Sequence, residues 1–161
     1  MFIKQADRAV KAACFLEPCR IEKKGMAAFK IGINMAGAIS AGAYTAGVLD
    51  FLTEALDEWY KAKSSGEPVP AHEVTIEVLA GASAGGMCAA ISTVMLQEDF
   101  EHIRDPTQTG TNNRLYESWV NKIDIRELLK IDDLEHGPPV ISLLDSTIIN
   151  QIASFAIRSS R

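Results

Sequence analysis

The sequence has no basic run beyond the Glu22-Lys23-Lys24 neighbourhood, and its 161 residues carry a net charge of −5. Phosphate backbones are bound by clustered lysine and arginine, so nucleic acid is not an expected partner. Cysteine is scarce and odd in number, with only Cys14, Cys19 and Cys88. Three cysteines without paired spacing make neither a disulfide framework nor a zinc site, and they fit a reducing compartment such as the cytoplasm. A secretory signal is missing as well. Met1 to Ala13 is broken by Lys4, Asp7, Arg8 and Lys11 and has no apolar central region. The uncharged stretch Met35 to Leu49 is too short to span a bilayer and is full of glycine, alanine, serine and threonine, so no transmembrane helix is expected. Internal repeats and low-complexity tracts are also absent.

What is present suits a packed fold: 47% of residues are apolar and 23% are charged, inside the globular range. One domain is expected, occupying residues 26–161. Residues 1–25 stand apart, holding two of the three cysteines and ending in a charged, glycine-containing segment. Two explanations fit this N-terminal extension equally: a stretch upstream of a start at Met26, or a short helix packed on the domain.

From Phe29 the apolar residues Phe29, Ile31, Ile33 and Met35 alternate with Lys30, Gly32 and Asn34, which predicts a first strand. Gly37 to Gly42 is a loop of small residues. Tyr44, Val48, Phe51, Leu52, Ala55, Leu56 and Trp59 then recur at helical spacing, which predicts an amphipathic helix with these residues inward. Ser64 to Pro70 is a loop, because two prolines and a glycine so close together fit no regular element. Val74 to Leu79 reads as a second strand and Met87 to Leu96 as a second helix. Strand, helix, strand, helix implies an α/β fold. Further on, Asp105 to Asn113 is a polar loop, Leu115 to Val120 and Ile125 to Leu129 read as short helices, and Gly137-Pro138-Pro139 is a break. Asp145 is placed to cap a last helix carrying Ile148, Ile149, Ile152, Phe155 and Ala156 on one face.

Gly81-Ala82-Ser83-Ala84-Gly85-Gly86 falls between the second strand and the second helix, the context of a nucleophile elbow. A serine on so tight a turn needs small residues two before and two after it, and Gly81 and Gly85 meet that need. The following helix points its unsatisfied amides and positive dipole end at the serine, which favours a developing oxyanion. A Gly/Ala/Ser turn here could equally permit close packing or hold a phosphate. The phosphate alternative is weakened because Gly37 and Gly42 do not make G-x-G-x-x-G and no Walker lysine follows either loop.

The segment Ala36 to Gly42 occupies the equivalent place after the first strand, where its backbone amides face the same sheet edge. A second oxyanion donor belongs there, and removing such a donor costs an acyl-transfer enzyme about 2.7 to 4 kcal/mol. Gly37 and Ala38 are the candidates.

Ala36-Gly37-Ala38-Ile39-Ser40-Ala41-Gly42-Ala43-Tyr44-Thr45-Ala46-Gly47-Val48-Leu49, then Gly81 to Met87, then Ile141-Ser142-Leu143-Leu144-Asp145-Ser146-Thr147, resemble the patatin-like phospholipase family, most closely its bacterial members. The resemblance runs from about Phe29 to the end. It implies a three-layer α/β/α fold with a mainly parallel central sheet, incomplete at the C-terminus. It also implies a Ser-Asp dyad in which Ser83 attacks the ester carbonyl of a lipid or other carboxylic ester, with no metal and no cofactor, and with peripheral contact to a membrane surface compatible with that substrate. In the family three adjacent glycines and an arginine mark the oxyanion loop; here Ala36 and Ala38 flank Gly37, and Ala41 stands near the arginine's place.

The family's aspartate sits in Asp-Gly-Gly or Asp-Gly-Ala. None of the aspartates after Ser83, which are Asp99, Asp105, Asp124, Asp132, Asp133 and Asp145, is followed by glycine. The resemblance therefore places the base beyond residue 161, and a chain without it is expected to be inactive alone, since a positioned base contributes about 10² to 10⁴-fold. Two alternatives stay open. One is a Ser-His-Asp esterase or acyltransferase drawing on His136, with His72 and His102 expected at the surface. The other is a non-catalytic lipid-binding or interaction module.

Overall fold

A computed structural model of the chain describes residues 28–38, 41–131, 134 and 144–158. The N-terminal extension, Ile39 and Ser40 of the first loop, His136, the Gly137-Pro138-Pro139 break and Ile141 to Leu143 lie outside the described residues.

The two expected strands are β1 (Ala28–Met35) and β2 (Glu73–Gly81), paired in parallel from Ala28 opposite Glu73 to Met35 opposite Gly81. The register slips by one residue after Ile31, where a bulge leaves Glu77 as the extra residue, and Lys30 Nζ meets Glu77 Oε1 at 2.7 Å. Among the described residues the sheet has only these strands. With the helices it makes a mixed α/β architecture.

Between the strands runs α1 (Ala41–Ser64), whose last turn carries Lys61 and Lys63 where a helix C-terminus favours cations. Its far end is tied to β2 by Tyr60, whose hydroxyl donates to Val74 O at 2.6 Å and accepts from Val74 N at 3.2 Å. The inward face of α1 differs from the one expected. Tyr44 and Phe51 are 76% and 74% exposed and Val48 is also exposed, whereas Gly42, Ala46, Leu49, Asp50 and Thr53 are buried. Small residues win because they let α1 approach its neighbours closely, and Asp50 goes inward because three partners wait for its carboxylate.

Directly after Ser83 comes α2 (Ala84–Met95), three residues earlier than the apolar pattern suggests, because the glycines that blur that pattern belong to its first turn. The short α3 (Arg114–Tyr116) continues into a π-helical segment, Glu117–Lys122, where a plain short helix was expected. Asn113 caps α3 by accepting from the Tyr116 amide at 3.0 Å. Asp124 starts α4 (Ile125–Leu128) by accepting from the Arg126 amide at 2.9 Å. For α5 (Thr147–Ala156) the N-cap position is Ser146 rather than Asp145, yet Asp145 Oδ1 still accepts from the Thr147 amide at 2.8 Å. The core gathers Met35, Leu49, Cys88, Ile91, Met95, Leu115, Trp119 and Ala156 where α1, α2, the π-helical segment and α5 meet.

Candidate active site

Both strands end at the same edge, and the turn after β2 is closed against the end of β1. The Ala82 amide donates to Met35 O at 3.2 Å, the Gly85 amide to Ala82 O at 2.9 Å, and the Met87 amide to Ser83 O at 3.0 Å. Ser83 sits at the apex with φ 50° and ψ −120°, and it is the one non-glycine residue with positive φ among the described residues. An L-residue adopts that conformation at a cost of about 1–3 kcal/mol, so its surroundings must impose it. They do so through missing side chains. A Cβ on Gly81 would strike the Gly85 carbonyl group, and one on Gly85 would strike the Met35 carbonyl. Both glycines of Gly-x-Ser-x-Gly are therefore required by space, and Ser83 itself is exposed at the turn.

The first glycine loop meets this turn. A Cβ on Gly37 would lie 2.8 Å from Ala82 O and 2.9 Å from Ser83 Cβ, so the loop touches the serine at the one residue without a side chain. The Ala41 amide donates to Ala38 O at 3.0 Å and joins the loop to the first turn of α1. Among the described residues, the amides of Gly37, Ala38 and Ala84 donate to no carbonyl or side chain. Among the described residues, Gly37 against the strained serine and Ala84 directly after it thus present amides that can receive negative charge on an oxygen bound there.

Among the described residues no carboxylate or imidazole is hydrogen-bonded to Ser83. His72 precedes β2 at the end of the strand opposite Ser83, with its ring 5.0 Å from that of Trp59. His102 departs from the surface position expected. Its side chain is 14% exposed, with Nδ1 2.9 Å from Asp50 Oδ1 and Nε2 3.4 Å from Asp57 Oδ2. Asp50 also accepts from the Ile103 amide at 3.0 Å and from Asn113 Nδ2 at 2.9 Å. That network lies about 14 Å along α1 from its first residue, far from the elbow. Three further aspartates after Ser83 have structural partners: hydrogen bonds from Thr107 hold Asp105 below the usual carboxylate range, those from Arg126 do so for Asp124, and those from Thr147 for Asp145.

Sequence reasoning missed two features. One is the Asp50 network, beside a groove of about 420 Å³ whose lining includes Ala46, Gly47, Phe51 and Val120. Small residues four apart at positions 42 and 46 were the available signal for a close approach on α1. The other is Trp119, whose six-membered ring lies where a Cβ on Gly42 would be.

No family model matches the chain, and no solved structure matches it. It is 41% identical over 146 residues to the uncharacterized protein y4iI of Sinorhizobium fredii (strain NBRC 101917 / NGR234), a match that takes in 82% of this chain and 21% of that protein. The chain thus spans about a fifth of the length of the curated relative it matches. No helix among the described residues is long and apolar enough to cross a membrane.

Proposed function

We propose that the protein is a patatin-like serine hydrolase of carboxylic esters, with lipids as substrates, built on a three-layer α/β/α fold whose sheet extends beyond β1 and β2. Ser83 Oγ attacks the ester carbonyl carbon and its proton passes to a carboxylate base. The resulting oxyanion takes hydrogen bonds from the amides of Gly37, Ala38 and Ala84. Collapse expels the alcohol, which takes the proton, and leaves an acyl-serine. Water, deprotonated by the same base, then releases the acid. A lipid substrate would be met at a membrane surface by peripheral contact.

One observation carries this reading: a serine held at φ 50° on a strand-to-helix turn, with a glycine loop pressed against it. A conformation that costs stability persists where something uses it. The base is proposed to come from polypeptide outside residues 1–161, in keeping with the greater length of the relative.

The test is labelling of the folded full-length protein by an alkyl fluorophosphonate, with the modified residue mapped by mass spectrometry. Ser83 is expected to carry the label, and Ser83→Ala to abolish it. A folded, unlabelled protein rejects the hydrolase and leaves the non-catalytic lipid-binding module, a reading favoured by the lack of a base beside Ser83 among the described residues.

A further inference from the structure

Trp119 lies on the π-helical segment Glu117–Lys122 and is 8% exposed. Among the described residues its indole Nε1 is buried and meets no acceptor other than the Cys88 sulfur beside it, and the neighbouring Ser118 hydroxyl is buried without a hydrogen-bond partner. Both features are unfavourable. A π-helical turn is rare but frequent at functional sites, and tryptophan is ordinarily buried where its N–H reaches a good acceptor. What the ring does touch is Gly42, in the first turn of α1, where any side chain would collide with its six-membered ring. Gly42 O in turn accepts from Cys88 Sγ at 3.7 Å, so this turn is held between the π-helical segment and α2, the helix that begins at the elbow. Burial pushes the Cys88 thiol up to about 11, outweighing the opposite pull of Trp119, so the sulfur keeps its proton and its donor role at neutral pH. From Gly42 the path is short. Ala41 is hydrogen-bonded to Ala38 O, and Gly37 lies against Ser83.

We propose that Trp119 is a positioning residue that, through Gly42, sets the Gly37–Ala38 amides against Ser83. Its catalytic meaning rests on the acyl-hydrolase reading above, whereas its geometric meaning does not. The bulky ring acts as a stop for the first turn of α1, and Cys88 holds that turn in contact with α2. The oxyanion loop and the nucleophile thereby share one frame.

The experiment uses full-length protein carrying Trp119→Leu, Gly42→Ala or both, read in two ways. Amide hydrogen exchange at Ala41, whose N–H is bonded to Ala38 O, is expected to rise about ten-fold in Trp119→Leu, with the β1–β2 ladder unchanged. Fluorophosphonate labelling of Ser83 is expected to slow about ten- to a hundred-fold in either single variant, as a displaced oxyanion donor demands. Joining Gly42→Ala to Trp119→Leu should restore both readouts in part, because the new methyl occupies space the ring has left. A general packing role predicts the reverse: exchange rising equally in the ladder, and no rescue. Either that pattern or unchanged exchange at Ala41 overturns the proposal. If Trp119→Leu does not fold, Trp119→Phe is read by the same exchange. A protein with the local exchange change and the rescue but no labelling of wild type keeps the positioning role and loses the hydrolase.

Discussion

Around Ser83 the chain is packed by the absence of side chains, whereas around Asp50, further along α1, it is packed by hydrogen bonds between side chains. At the elbow, Gly81, Gly85 and Gly37 let backbone meet backbone, and the contacts are carbonyls and amides. At Asp50, one buried carboxylate gathers His102, Asn113 and the Ile103 amide, and so anchors the stretch between α2 and α3. The first arrangement leaves amides open and a serine strained. The second leaves its groups satisfied. A site that must stabilise charge arriving from a substrate keeps donors in reserve, while a site that only holds a loop spends them.

The largest expected effect comes from filling the elbow. Gly85→Ala sets a methyl against the Met35 carbonyl, and since backbone cannot step aside, a loss of about 3 kcal/mol in urea unfolding is expected. A near-neutral result would mean that the two strand ends do not meet as described. Asp50→Ala should cost about 2 kcal/mol by removing the acceptor shared by His102, the Ile103 amide and the buried Asn113 side chain. Labelling of Ser83 in that variant should stay near wild type at temperatures where it is folded. Loss of labelling there would show that the two regions are not independent.

Ser83→Gly is expected to act in the opposite direction. Relief of the strained φ should stabilise by about 1 kcal/mol, seen as a raised Tm, while labelling is lost. A lowered Tm would count against a strained elbow. A further expected effect concerns pH. The Cys88 thiol is raised from 9.0 to about 11 by burial, so the folded state holds that proton more tightly than the unfolded chain does. Its contribution is intact below pH 9 and drains away as pH rises to about 11. Urea midpoints of wild type and Cys88→Ala should therefore converge between those values, with Cys14 and Cys19 common to both proteins.

Legibility followed the kind of physics involved. The first strand was readable because apolar residues alternate over a short range, the second because β-branched residues cluster between turn residues, and the elbow because Gly-x-Ser-x-Gly at a strand end is a local steric statement. The start of α2 was set too late, since glycine and alanine in its first turn carry no apolar period. The inward face of α1 was misjudged for a related reason. Periodicity weighs hydrophobic size, and so it points at Tyr44, Val48 and Phe51, whereas close helix packing selects Gly42 and Ala46. His102 was expected at the surface because its partners Asp50 and Asp57 lie dozens of residues away, and a pairing of that range leaves no local trace.

By itself the sequence determined the strand-turn-helix units, the place of Ser83 at a turn and the need for glycine on both sides of it, because each depends on neighbours within a few residues. Only the tertiary structure decided that the first glycine loop touches Ser83, that Asp50 is the buried hub of a network, and that Trp119 stands behind Gly42. Those contacts join segments remote in sequence, and which of them form depends on how closely whole helices can approach.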